Sequence, residues 1–265
     1  GVVGVAANVA RDDCAAALAN PLPSLAELAE ARGLKTGIVS TARITHATPA
    51  GSYAHAANRN WEDSASLPPE AKAAGCKDIA QQLLDTPYGD GPDVILGGGR
   101  AHFLPDSVVD PEHSKKTGKR DDGRNLIEQW LQSRSGREYV WNRQDFLALS
   151  ERRAKGEGSN GQVMGLFEPS HMQFEADRAN DPAGEPSLLE MTQFALAEMQ
   201  KADQGYFLLI EAGRIDHAHH GSNAYRALVD TVALSEAVQW VTDHVDLSNT
   251  LILVTADHSH TMTIS

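Results

Sequence analysis

No apolar run in this sequence approaches the ~20 residues that a membrane-spanning helix needs. Basic residues are scarce as well: 23 Lys and Arg stand against 36 Asp and Glu, a formal net charge of -13. That balance excludes a broad cationic surface for a nucleic-acid backbone, so no nucleic acid is expected as a specific partner. An anionic ligand remains compatible with it only if attraction comes from bound metal or a few placed arginines. The charges are mixed rather than blocked and 41% of residues are hydrophobic, which excludes a disordered tail. There is no internal repeat. Only two cysteines occur, Cys14 and Cys76, and the count alone does not decide between free thiols and a bridge. The chain opens Gly1-Val2-Val3-Gly4 with no initiator Met or charged leader, and it stops at Ser265; both ends read as cut.

What is present suits one large domain, or a domain with insertions: 265 residues can bury a full core. Short apolar runs rich in β-branched residues stand at 36–41 (TGIVST), 93–96 (DVIL), 206–211 (YFLLIE) and 251–255 (LILVT). Continuous rather than alternating apolarity is the pattern of strands buried on both faces of a parallel sheet. Helical patterns lie between them. Ser24 with Glu27, and Ser187 with Glu190, form capping boxes that open helices over 24–32 and 187–200, the first closed by Gly33. A third helix is expected over 223–244. The alternation predicts an α/β fold with a mostly parallel central sheet and helices on both faces. Residues 106–124 and 151–162 read as polar loops, and 106–186 breaks the αβ rhythm, so it is expected to be an inserted subdomain.

Chemistry gathers behind two of the strands. Glu211-Ala-Gly-Arg-Ile-Asp216-His217-Ala-His219-His220 directly follows YFLLI, and Thr255-Ala-Asp257-His258-Ser-His260 ends LILVT. Open α/β folds place their sites at the carboxyl ends of strands. A single histidine there is more often a surface residue. Carboxylate–imidazole pairs after two separate buried strands favour a metal centre, zinc taking His nitrogen and Asp oxygen, magnesium taking oxygen alone.

These strings resemble the alkaline phosphatase family, and the resemblance runs over nearly the whole chain. Besides IEAGRIDHAHH and TADHSH it includes Val39-Ser-Thr-Ala-Arg-Ile-Thr-His46-Ala-Thr48-Pro49, Tyr53 to Trp61, Ile95-Leu-Gly-Gly-Gly-Arg100 and Gly165-Leu-Phe-Glu-Pro169. The resemblance implies a phosphomonoesterase acting on small phosphate monoesters through a phosphoserine, with two zinc ions and one magnesium. Asp216 and His220 would hold one zinc, Asp257 and His258 the other, and Glu211 with Thr48 the magnesium. Arg59 would grip phosphate with its planar fork, and His46, His217 and His260 would stand behind these groups. The family's nucleophilic serine would precede Gly1 and a last zinc histidine would follow Ser265, so this chain alone is expected to be weakly active or inactive. Asp63-Ser64-Ala65 reproduces the nucleophile string in letters but lies in a polar loop, and is read as coincidence.

The resemblance is to the animal-type branch, which pairs the cysteines matching Cys14 and Cys76. Such a bridge would contribute about 4 kcal/mol and would place the protein outside the cytoplasm, periplasmic or extracellular, with a membrane anchor open in the complete protein. Glu112, the Phe167 carbonyl, Glu168 and Glu185 match a calcium site of that branch, where Asp is usual at the position of Glu185. The complete protein would be a homodimer. No Asn-X-Ser/Thr sequon occurs, which leans the source towards bacteria. The rivals are a sulfatase, phosphodiesterase or phosphoglycerate mutase of the same two-metal superfamily, and a non-catalytic metal-binding protein. Arg100 after three glycines reads as a tight strand exit rather than a phosphate loop.

Overall fold

The computed structural model describes residues 1–261. In chain order its elements are α1 (Cys14–Ala19), α2 (Leu25–Glu30), β1 (Lys35–Arg43), α3 (Ala47–Ala50), α4 (Pro69–Ala73), α5 (Ile79–Leu84) and β2 (Val94–Gly98). There follow α6 (Leu126–Ser133), β3 (Glu138–Val140), α7 (Arg143–Ala154), β4 (Val163–Leu166), α8 (Leu188–Met199), β5 (Tyr206–Glu211), α9 (Arg214–His220) and α10 (Ala224–His244). The five strands form one sheet in the order β3-β4-β2-β1-β5, every neighbouring pair parallel.

Apolar side chains leave each central strand on alternate faces and meet helices on both. Ile38, Ile95 and Met164 pack with Ile79 and Leu83 of α5 and Leu126, Ile127 and Trp130 of α6. Val39, Leu96 and Val163 face the other way, against Phe146 and Leu149 of α7 and Leu188, Met191, Phe194 and Met199 of α8. Each such fully buried side chain stabilises the fold by roughly 1.5–3 kcal/mol. A smaller core joins Val5, Val9, Trp61 and Leu67 around a Cys14–Cys76 disulfide. The α/β expectation is met, and so are both capping boxes: Ser24 caps α2 and Ser187 caps α8, each answered by its Glu.

Three expectations are corrected. The αβ rhythm does not break over 106–186, because β3 and β4 lie inside that stretch and extend the central sheet beyond β2. They are only three and four residues long, too brief to leave a pattern. The loop expected at 151–162 begins as the last turn of α7, whose buried Phe146, Leu149 and Arg153 are spaced i, i+3, i+7 beneath a charged outer face. The strand expected at 251–255 is absent. After α10 the chain turns at Asp246, which takes the amides of Asn249 and Thr250 on its carbonyl. It then runs with no ladder partner and with Leu251 and Leu253 80% and 79% exposed. β-propensity specifies a strand only where a ladder and covered faces receive it. Among the described residues the outer edge of β5 carries no such partner.

Glu30 gives the fold a testable pH signature. Its carboxyl lies buried against the start of β1, accepting from the Thr36 hydroxyl at 2.5 Å and the Asp90 amide at 3.3 Å. Burial above all, with Asp93 and Asp90 nearby, lifts it from 4.5 to about 7. A raised acid stabilises the fold fully below its unfolded value, and that contribution is lost as pH rises through the folded value. Glu30→Gln, which stays neutral, should therefore gain on the parent by about 3 kcal/mol between pH 4.5 and pH 7.5 in urea titrations. A stability difference that is flat across that window would refute the buried acid.

Candidate metal and phosphate site

The polar side chains collect past the carboxyl ends of β1 and β5, adjacent strands whose register sets Ser40 opposite Glu211. The Ser40 hydroxyl donates to Glu211 Oε2 at 2.5 Å, and Thr48 of α3 bonds the same carboxylate. Burial, with Asp257 and Asp216 close by, raises the Glu211 carboxyl against those two hydrogen bonds. Beyond Glu211 the chain turns at once into α9. Gly213 permits this, since a Cβ there would stand 2.8 Å from the Ala42 Cβ and 3.2 Å from Glu211. The Arg214 amide then bonds the Thr41 hydroxyl, tying α9 to β1.

Asp216, in the first turn of α9, is the hub of the imidazoles. Its Oδ1 lies 2.6 Å from His260 Nε2, 3.5 Å from His220 Nε2 and 3.7 Å from His258 Nε2. Burial works to raise this carboxyl, but the His260 hydrogen bond and the charges of His220, His217 and His260 hold it below its usual value. Asp257 reaches His258 at 3.4 Å and is itself exposed. The residues expected at two zinc ions thus stand in one group around Asp216. His260, expected behind the ligands, offers a nitrogen within 4.8 Å of donor atoms on Asp216 and His258.

Arg59 stands on the β1 side, with Nη2 3.1 Å from His46 Nε2. His46 in turn packs against His217 and against His171, ring centroids 5.4 and 5.1 Å away. His171, in the loop after β4, carried no sequence signal: a lone histidine in Ser170-His171-Met172 resembles any other. Burial first, then Arg43 and Arg59, lowers His46 to about 4; burial, then Arg214 and His46, does the same to His217.

A second acidic group lies away from the first. Glu112, Glu168 and Asp181 each place a carboxylate oxygen within 4.8 Å of the others. Glu185 is 1% exposed, takes the Gln173 amide on Oε1 and leaves Oε2 without a partner. Burial, then Glu168 and Asp181, pushes it up to about 9. Both Asp181 oxygens are buried and unpaired too. Sequence reasoning missed Asp181, which sits in an Asn-Asp-Pro run that reads as a turn. Phe167 is buried beside this group, its amide bonded to Gly97. Arg100 belongs to the frame: it is 1% exposed, forks onto Asp110 at 2.9 Å twice, and bonds the Leu166 carbonyl. Ser64 is structural as well, its hydroxyl accepting from the Asp121 and Asp122 amides.

A parallel sheet with carboxylates and imidazoles gathered at the ends of two adjacent strands defines an α/β protein with a candidate metal centre. The family model described as alkaline phosphatase matches residues 1–265. The chain is 42% identical to a membrane-bound alkaline phosphatase of Bombyx mori, over 100% of this chain and 48% of that protein. It is likewise 42% identical to the tissue-nonspecific alkaline phosphatase isozyme of Gallus gallus, over 99% and 50%. Among solved structures it is similar to Thermus thermophilus alkaline phosphatase, TM-score 0.67 at 28% identity, over 92% of this chain and 41% of that one. This chain belongs to the alkaline phosphatase family, and it spans about half the length of the curated relatives it matches. Among the described residues no helix is long and apolar enough to cross a membrane.

Proposed function

We propose that this chain carries much of the active site of a zinc- and magnesium-dependent phosphomonoesterase. The observation that carries the reading is the convergence of Asp216, His220, His258 and His260 beside Glu211 and Arg59, across the ends of β1 and β5. The donor sets fit the ions. One carboxylate shared by several imidazoles suits zinc, and the Glu211 carboxylate with the Thr48 hydroxyl suits magnesium. Bound there, zinc supplies Lewis-acid stabilisation of the entering and leaving oxygens of a phosphoryl transfer.

The chain's own residues do the rest. Arg59 offers a planar fork to two equatorial phosphate oxygens, a geometry that lysine lacks. His46 accepts from that guanidinium and holds its direction. Ser40 and Thr48 orient Glu211. A serine from outside the chain would take the phosphoryl group. The acidic group of Glu112, Glu168 and Asp181, with Glu185 and the Phe167 carbonyl, fits calcium, whose hard charge would relieve the carboxylate repulsion that helps to raise Asp181 and Glu185. The Cys14–Cys76 disulfide suits an oxidising compartment and hence an exported protein.

The test is a substrate comparison on the polypeptide purified from its natural source and loaded with zinc and magnesium. A phosphate monoester should turn over faster than a phosphate diester or a sulfate ester by roughly a hundredfold or more. Preference for the sulfate ester or the diester would overturn the reading, as would zinc binding without any turnover.

A further inference from the structure

His55 stands four residues before Arg59, and its half-buried ring lies between two acceptors. Nδ1 is 2.5 Å from the Gly4 carbonyl oxygen and Nε2 is 2.8 Å from Glu27 Oε1. A neutral imidazole has one N–H and one lone pair, so one of those contacts would set lone pair against lone pair. Both are hydrogen bonds only when the ring is an imidazolium. Glu27 is fixed in place to receive it. That residue is 2% exposed, and its Oε2 takes the Ser24 amide at 2.7 Å in the capping box of α2. The Glu27 hydrogen bond above all raises the ring from its usual value; burial opposes it and the Gly4 carbonyl adds to it. Of the elements around the ring, α2 presents Glu27, segment 1–5 presents a backbone carbonyl, and α5 presents the neutral Gln82, which accepts from the His55 amide at 2.8 Å. Among the described residues Glu27 is the charged group that faces it.

What the ring holds is a short antiparallel pairing that carries Arg59. Val3 and Ala56 exchange amide–carbonyl bonds at 2.9 and 2.8 Å, and the Arg59 amide donates to the Gly1 carbonyl at 2.9 Å. A Cβ on Gly1 would meet Arg59 Cδ at 4.0 Å, so this segment also backs the stem of the arginine. Gly4 has φ +58°, and a Cβ there would stand 2.1 Å from the Ala54 carbonyl oxygen and 2.9 Å from His55 Nδ1. The backbone reaches the ring because residue 4 is glycine. Both bonds of the imidazolium are charge-assisted, and losing the proton turns one of them into repulsion.

We propose that His55 is a positioning residue for Arg59: as a charged clasp it joins segment 1–4 to α2 and so fixes the stretch 56–59 from which the guanidinium projects. The proposal rests on Arg59 gripping the reacting phosphate, as argued above. His46 meets the guanidinium at its tip, whereas His55 acts on the backbone behind it.

The test is a double-variant cycle on the metal-loaded natural polypeptide, with inorganic phosphate as the probe and calorimetry as the readout. At about pH 6, where the parent ring is charged, His55→Gln offers an N–H at one end only and should weaken phosphate roughly tenfold. In the Arg59→Ala background the same change should cost under about twofold, because the group it positions is gone. A raised imidazole makes its contribution below its titration and loses it above, so the parent's advantage over H55Q should fade as pH climbs towards about 10. Glu27→Gln keeps the capping box without the charge and should bring that fade to lower pH. A ring that is merely structural would give equal losses from H55Q with and without Arg59; that result overturns the clasp. So does an advantage that is flat in pH. Should H55Q not fold, the fade of phosphate affinity in E27Q relative to the parent decides, and an unmoved pH dependence overturns the proposal. Parental phosphate affinity in R59A would instead defeat the reading of Arg59 as the phosphate grip.

Discussion

Asp216→Ala should strip zinc from the protein, raising the dissociation constant by roughly a hundredfold or more. Removing a group one step behind a metal ligand already costs 10–100-fold, and in the function proposed above Asp216 would touch the ion itself. Among the described residues its Oδ1 is the one carboxylate oxygen that lies within 3.7 Å of His220, His258 and His260 together. Without it the imidazoles keep their nitrogens but lose the anion that draws them to one point. Asp216→Asn keeps the shape and an oxygen, yet should lose nearly as much, because the negative charge is what offsets the dication. His244→Ala is the control: that ring stacks on Trp240 at the end of α10, far along the helix from the cluster, and its loss should leave zinc content unchanged. The measurement is metal content after dialysis, with competition against a chromophoric chelator. Zinc retained at parental level by both Asp216 variants would remove the metal centre from this site.

The sequence made this hub legible for a physical reason. Asp216 and its neighbours follow YFLLIE, whose unbroken apolarity marks a sheet strand; β5 stands half-buried at the sheet edge, and its apolar body leaves the polar groups to its end. The same logic located Glu211, and the capping boxes at Ser24 and Ser187 located two helices, because each is a local arrangement written within four residues. What escaped depends on distant residues. His171 reaches the site only because β4 pairs with β2 and returns the chain beside Arg43. Asp181 reaches Glu112 across a gap in sequence that no local pattern spans. β4 is a strand chiefly because β2 offers it an edge, and β3 because β4 then offers the next. The segment at 251–255 shows the converse, having strand-like residues and no edge to receive them.

Arg120→Ala should cost about 3–5 kcal/mol, the usual penalty for leaving one half of a buried ion pair alone. Arg120 is wholly buried, and its guanidinium forks onto Asp78 with Nη1 and Nη2 at 3.0 and 2.9 Å from the two carboxylate oxygens. It also bonds Asp122 and the His102 carbonyl, so one side chain ties the start of α5 and the segment after β2 to the turn that precedes α6. Asp78 is only 1% exposed and caps α5 through the Gln81 amide. Deleting the guanidinium therefore leaves a carboxylate that can neither reach water nor drop its remaining duty at the helix. For a chain of this size each kcal/mol lowers the melting temperature by about 2–4 °C. The Asp78→Asn/Arg120→Met double variant should recover part of the loss, since the amide still caps the helix and no bare charge stays inside. Urea titration of the parent, the single variant and the double variant decides it. A loss under about 1 kcal/mol in Arg120→Ala would mean that water reaches Asp78 and that the pair is not sealed.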